Sequence, residues 1–289
     1  MQKVQRHVRW AREGGIKSLI EEDDLDPRHR ARNEVRKWRY RRVHPAPSSP
    51  RAMWVLGAQR SGTNMVMRAL AKHGGIRIYN ENHRKAFHDF ELLAPAKLKP
   101  LVDNCPQPVA VFKPLCDSDR AVELLDLGGQ TSRAVWMYRN VDARARSAVT
   151  KFGSANIDMI RSLASGQDQG EWWSRSVSPE QRAIVQGLRP AELSPHDGAA
   201  LFWWMRNSMY FDQQLHLRDD IRLMSYQALL VSPADVMSNL CNDVGLEFDA
   251  VMVDHFEPLR SPPRHLDLDP EVRSLCDQLT SQLASAMME

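Results

Sequence analysis

Residues 53–72, MWVLGAQRSGTNMVMRALAK, constrain the fold more than any other part of the chain. An apolar run of strand length ends at Gly57, a short loop carries Gly62, and the pattern then becomes amphipathic with helical period. A chain passing from a buried strand through two glycines into a helix aims backbone N–H groups and the positive end of the helix dipole at one spot. That spot favours an anion. The spacing of Gly57 and Gly62 is that of a phosphate-binding loop, but Thr63 and Asn64 stand where Lys and Ser/Thr would follow in an ATP or GTP loop. The cation lies inside the loop instead, at Arg60, whose planar fork can grip two oxygens of a phosphate or sulfate group. Taken alone, the loop also reads as an ordinary tight strand-to-helix turn with a surface Arg.

Beyond this segment, short apolar runs alternate with helical patterns. Residues 53–57 precede 64–72, residues 109–113 precede 119–127, and residues 134–138 precede 142–151; the run GIRIY at 75–79 and the run IRLMSY at 221–226 add two more strands. The alternation predicts an α/β fold with a central parallel sheet flanked by helices. The long pattern at 199–217 carries an aromatic stripe, and Trp203 and Phe211 are expected in the core. Ser232 is expected to cap a helix that opens with Pro233 and closes before Gly245, and a last helix should start at 269–270. Residues 154–198 have weak periodicity and read as helices and loops, with a substrate lid as one possible use. In residues 83–92 a helix-like segment is expected to turn Phe87, Phe90 and Leu92 towards the core.

Residues 1–50 differ from the rest. They are rich in Arg and end in the stiff linker HPAPSSP, so they read as a basic N-terminal helical arm packed on a domain of residues 51–289 through Trp38 and Tyr40, with binding of an acidic partner as the alternative. A 43% hydrophobic content in 289 residues supports one large core, and a net charge of +3 is too mild to argue for nucleic acid. Cys105, Cys116, Cys241 and Cys276 have neither metal-site spacing nor the density of a disulfide scaffold, so reduced, inert thiols and a cytoplasmic location are expected. No apolar run reaches membrane-spanning length, and the first residues lack the hydrophobic stretch of a signal peptide.

A second anion signal follows the run at 134–138. Arg139 stands directly at the strand end and Ser147 lies eight residues on, in the next helix. Parallel strands all open to one edge of a sheet, so both residues can approach the ligand of Arg60. Two anion pockets suggest a nucleotide with two separated phosphates.

With QRSGTN at 59–64, RNVDARARS at 139–147 and LMSYQALLVSPADVMSNLCNDVGLEFD at 223–249, in that order, the chain resembles the 3′-phosphoadenosine 5′-phosphosulfate (PAPS)-dependent sulfotransferases. The resemblance implies a P-loop-like sulfotransferase architecture and transfer of a sulfuryl group to an acceptor hydroxyl, on a carbohydrate, glycolipid or secondary metabolite. It implies that Arg60, Ser61, Gly62, Thr63 and Asn64 hold the 5′-phosphosulfate, that Arg139 and Ser147 hold the 3′-phosphate, and that Tyr226 lies beside the adenine. Arg264, on a basic turn with Arg260 and Ser261, becomes a further phosphate ligand. Val141 replaces the family's usual proline. Leu115 stands where the aryl and steroid branch carries its catalytic His, which points to the branch that uses a carboxylate.

Sulfuryl transfer needs charge stabilised on the leaving oxygen, a role for Arg60 and the loop amides, to which Lys113 can add. The sulfuryl group carries less charge than a phosphoryl group, so no metal is expected. The acceptor needs a base, and Glu81 is preferred over His83 and His88 because it comes first after the strand at 75–79. The competing readings are a P-loop kinase or other phosphotransferase, and a non-catalytic nucleotide- or nucleic-acid-binding protein that uses the basic arm. The acceptor is expected to be a small molecule or glycan, nucleic acid is not expected as a partner, and oligomeric state is not legible.

Overall fold

The structure, a computed structural model, describes residues 27–257 and 264–287. Its strands are β1 (Arg51–Gly57), β2 (Ile76–Tyr79), β3 (Phe87–His88), β4 (Glu91–Leu92), β5 (Val109–Phe112), β6 (Arg133–Tyr138) and β7 (Ile221–Ser225). Five of them form one sheet in the order β2-β5-β1-β6-β7, and every neighbouring pair in it is parallel. The chain leaves β1 in the middle, visits β2 and β5 on one side, and then crosses to β6 on the other. The C-terminal end of β1 is therefore a topological switch point, where an open α/β sheet leaves a crevice for a ligand.

Each face of the sheet has its own core. Ala52, Trp54 and Leu56 of β1 pack with Trp136 and with Trp203 of the helix Pro195–Asp212, whereas Met53 and Val55 pack with Val66 and Leu70 of the helix Thr63–Lys72 and with Leu240 of the helix Pro233–Asp243. Residues of β1 alternate between two buried faces, so the strand is apolar from Ala52 onward, as a strand covered on both sides must be. Trp203 is fully buried and Phe211 partly so. The four cysteines are buried, free thiols.

Several sequence expectations need correction. Residues 87–92 form a β-hairpin, not a helix-like segment: Asp89 and Phe90 both have positive φ, and the Leu92 amide donates to Asp117 at 2.8 Å, a partner that only the tertiary fold supplies. Phe87 and Leu92 are buried, but Phe90 lines the cleft described below. Ser232 precedes the helix at Pro233 yet makes no side-chain cap, whereas Ser225 caps the helix Tyr226–Val231 by accepting from the amides of Gln227 and Ala228.

The helix Ala155–Ala164, at the start of the expected lid, buries Ile157, Ile160 and Leu163. A Cβ added at Gly198 would lie 2.4 Å from Ile157 Cα, so this end of the segment is clamped to the helix Pro195–Asp212. Trp38, expected to pack, is 50% exposed on the helix Pro27–Val43, with Arg42 over its ring; Tyr40 does pack, against His44 and His73. Residues 1–26 of the arm, and Arg260 and Ser261 of the basic turn, lie outside the described residues.

Candidate active site

Gly57 ends β1 with φ 118°, and a Cβ there would lie 2.3 Å from the Met137 carbonyl oxygen of β6. Only glycine allows the two strands to approach so closely just before the loop. The Gly57 amide donates to Ser118 Oγ at 3.1 Å, which anchors the loop's base. Gly62, with φ 95°, turns the chain into the helix Thr63–Lys72; a Cβ there would lie 2.3 Å from Tyr226 Cδ2, so the Tyr226 ring sits directly on the loop. Arg60 also has positive φ, 69°, a conformation that costs a side-chain-bearing residue and is held by the contacts around it.

Those contacts join the two anion signals. Arg60 Nε donates to Ser147 Oγ at 3.0 Å, across 87 residues of sequence. Arg139 follows β6 directly; its guanidinium lies 4.4 Å from the centre of the Tyr226 ring and its Nη1 reaches the Arg60 carbonyl oxygen at 3.4 Å. Behind it, Trp203 Nε1 donates to the Arg139 carbonyl oxygen at 2.8 Å, so a core tryptophan fixes the strand end. Burial pulls the affinity of Arg139 for its proton below the usual guanidinium value; neighbouring Tyr226 opposes the shift and Arg60 adds to it. Arg139 Nε and Ser61 Oγ are buried and make no hydrogen bond among the described residues. Thr63 is buried at the first turn of the helix.

A second group forms at the ends of β5 and β2. The Lys113 amide donates to the Tyr79 carbonyl oxygen at 3.2 Å, which extends the strand register and brings the next residues together. Lys113 Nζ, almost fully buried, donates to Asn64 Oδ1 at 2.6 Å and pairs with Glu81 Oε2 at 2.9 Å. Lys113 thus bridges the first turn of the loop helix and the only carboxylate found among the described cleft residues.

Arg60, Thr63, Asn64, Glu81, Lys113, Arg139 and Tyr226 line one cleft of about 540 Å³, and Ser61 and Ser147 lie just behind its lining. Arg60, Arg68, Lys113, Arg139 and Lys151 set five cations against Glu81 there. Such walls focus positive potential and attract an anion. Arg68, Lys151, Phe152 and His255 were missed by sequence reasoning. The first two carried a signal, since Arg68 lies one helical turn after Asn64 and Lys151 one turn after Ser147.

Three candidates stand apart from the cleft. His83 turns its ring edge-on to Tyr79, 4.8 Å between centres; burial, helped by Arg77, lowers its proton affinity, and its Nδ1 is buried without a hydrogen bond among the described residues. His88 is exposed beside Asp89. Arg264 is exposed, and its carbonyl oxygen accepts from Arg146 of the helix Val141–Phe152.

No protein-family model and no curated protein matches the chain. Among solved structures, the fold is similar to a sulfotransferase domain of the Synechococcus PCC 7002 olefin synthase, with 14% identity, 85% of this chain and 97% of that one covered, and a TM-score of 0.43. It is also similar to a sulfotransferase from Alicyclobacillus acidocaldarius, with 15% identity, 85% and 97% coverage and a TM-score of 0.44. A third is mouse sulfotransferase SULT7A1 complexed with PAP, with 11% identity, 88% and 91% coverage and a TM-score of 0.44. Likeness at this level carries no weight for function, which rests on the side chains of the cleft.

Proposed function

We propose that the protein transfers a sulfuryl group from PAPS to the hydroxyl of a small-molecule or glycan acceptor. The observation that carries this reading is the convergence of Arg60, Arg139 and Ser147, with Tyr226 between the loop and the strand end. A single phosphate would need only the loop and helix N-terminus. A strand-end arginine and a helix hydroxyl beside that loop suit a second anionic group on the same ligand, and the Tyr226 ring offers a face for a base.

In this reading the loop amides and Arg60 bind the 5′-phosphosulfate and Arg60 exchanges Ser147 Oγ for ligand oxygens. Arg139 and Ser147 bind the 3′-phosphate. Lys113, held by Asn64, places a fixed charge beside the transferring group, where stabilisation of developing charge counts most. Glu81 accepts the acceptor's proton, and Phe90 and Leu115 line the acceptor side of the cleft.

Thermal shift with 3′,5′-ADP, 5′-AMP and ATP plus Mg²⁺ tests the reading, because only a ligand that prefers the folded state raises its stability. We expect 3′,5′-ADP to stabilise most. Arg139→Ala should erase the preference over 5′-AMP by about tenfold or more, and Ser147→Ala should erode it less, because the arginine makes the charge-assisted bond. A larger shift with ATP plus Mg²⁺ would favour the kinase reading instead.

A further inference from the structure

Arg144 lies on the helix Val141–Phe152, between Arg139 and Ser147 in sequence, and is 0% exposed. It holds three elements at once. Its Nε donates to the Gln59 carbonyl oxygen in the loop at 3.1 Å, and its Nη1 donates to Asn156 Oδ1 at 3.1 Å and to the Ala199 carbonyl oxygen at 2.6 Å. Phe202 lies under the guanidinium, 5.1 Å from its carbon. No carboxylate pairs with it among the described residues, and Nη2 is buried without a hydrogen bond. The charges that act on it are other cations, Arg60 and Arg206.

A buried guanidinium without a counter-charge is costly, and a protein that needed only a packed helix here would do better with an apolar side chain. The cost is offset if a negative ligand is held nearby. The place of the contacts says which one. Gln59 immediately precedes Arg60, and Gln59 and Arg60 each present a carbonyl oxygen to an arginine, Arg144 and Arg139 respectively. A carbonyl turned towards an anion would repel it, so tying back the Gln59 carbonyl leaves the loop free to present N–H groups.

We infer that Arg144 is a positioning residue for the anion loop: it holds the Gln59 carbonyl and adds a fixed positive charge behind the loop, and an anion held in the loop supplies the counter-charge that its hydrogen bonds do not. The inference rests on the loop being an anion site, as the proposed function requires, but not on the anion being PAPS. It also sets an effect that a merely structural residue would not have: removing the charge weakens anion binding and leaves an uncharged ligand unaffected.

The test compares the wild-type protein with Arg144→Met, which keeps much of the volume without the charge, using inorganic pyrophosphate and 3′,5′-ADP as anionic probes and adenosine as an uncharged one. Arg144→Met should bind both anions about ten- to a hundredfold more weakly, whatever its unliganded melting temperature, which the three acceptors it leaves behind lower. Adenosine affinity should change little. Unchanged anion affinity would overturn the inference. Should Arg144→Met fail to fold, Arg144→Lys gives the second reading: it keeps a charge but cannot reach three acceptors, so intermediate anion affinity supports the inference and wild-type affinity overturns it. If pyrophosphate binds the wild type but 3′,5′-ADP binds no better, the proposed function fails while the role of Arg144 is still measured by pyrophosphate. If neither anion stabilises the wild type, both readings fail.

Discussion

Glu81 and Lys113 meet because β2 and β5 are neighbours in the sheet and run in parallel register, Tyr79 opposite Phe112. Each residue is a candidate from its own stretch of sequence; their pairing is not visible there. A carboxylate held by one lysine is oriented, and it can take a proton from an alcohol only if the acceptor oxygen enters beside it. Glu81→Gln keeps the shape and a hydrogen-bonding oxygen for Lys113 but removes the base. With labelled PAPS and a responsive acceptor, its turnover should fall by about 10²- to 10⁴-fold, while the dissociation constant of 3′,5′-ADP moves by less than about threefold, within the range of an uncharged contact. A fully active variant would remove Glu81 from the mechanism. His83 would then need to move out from behind Tyr79 to take its place.

At the scale of elements, the helix Val141–Phe152 carries the residues that make the loop's surroundings: Arg144 and Ser147 face the loop, and Asp142 faces the other way. Asp142 accepts from Arg273 of the C-terminal helix Pro270–Ala286 at 2.6 Å and from the Leu266 amide at 2.9 Å. Burial raises the proton affinity of this carboxyl, but the Arg273 and Leu266 hydrogen bonds outweigh it and hold the carboxyl below the usual Asp value. A depressed carboxylate contributes stability above the unfolded Asp value, about pH 3.9, and that contribution is lost as pH falls through the lower folded value. Asp142→Asn should therefore lower stability in urea at pH 7 by about 2 kcal/mol and flatten the loss of stability at acid pH relative to wild type. Equal acid profiles would show that the clamp contributes nothing.

In the whole molecule, the helix Pro195–Asp212 joins the core to the site. Its Trp203 is buried on the sheet face shared with Trp54 and Trp136, and its indole N–H holds the Arg139 carbonyl oxygen at the end of β6. Trp203→Phe keeps most of the apolar area and leaves that carbonyl without its donor. The variant should lose about 1 kcal/mol of stability and bind 3′,5′-ADP a few-fold more weakly, because Arg139 sits on a looser strand end. Calorimetric titration beside a denaturant melt separates the two effects. Unchanged nucleotide affinity in a destabilised variant would mean that the core does not set the position of Arg139.

What the residues alone determined are the features written in local pattern. Buried strands are continuous apolar runs, helices repeat every three to four positions, and the two glycines of the loop stand where positive φ and close approach demand them, at Gly57 beside Met137 and at Gly62 beneath Tyr226. That Arg60, Arg139 and Ser147 meet was likewise legible, since β1 and β6 run in parallel and open to one edge, with Ser147 on the helix that follows β6. Contacts between distant segments decided the rest. The hairpin at 87–92 depends on Asp117, and the exclusion of His83 from the cleft depends on its packing against Tyr79. Arg68 and Lys151 join the cleft because their helices present one more turn towards it. Arg144 looks like any helix arginine until Gln59, Asn156 and Ala199 close around it. Periodicity records which face of an element is buried, but not which distant atom waits there, and it is that atom that turns a buried charge into part of a site.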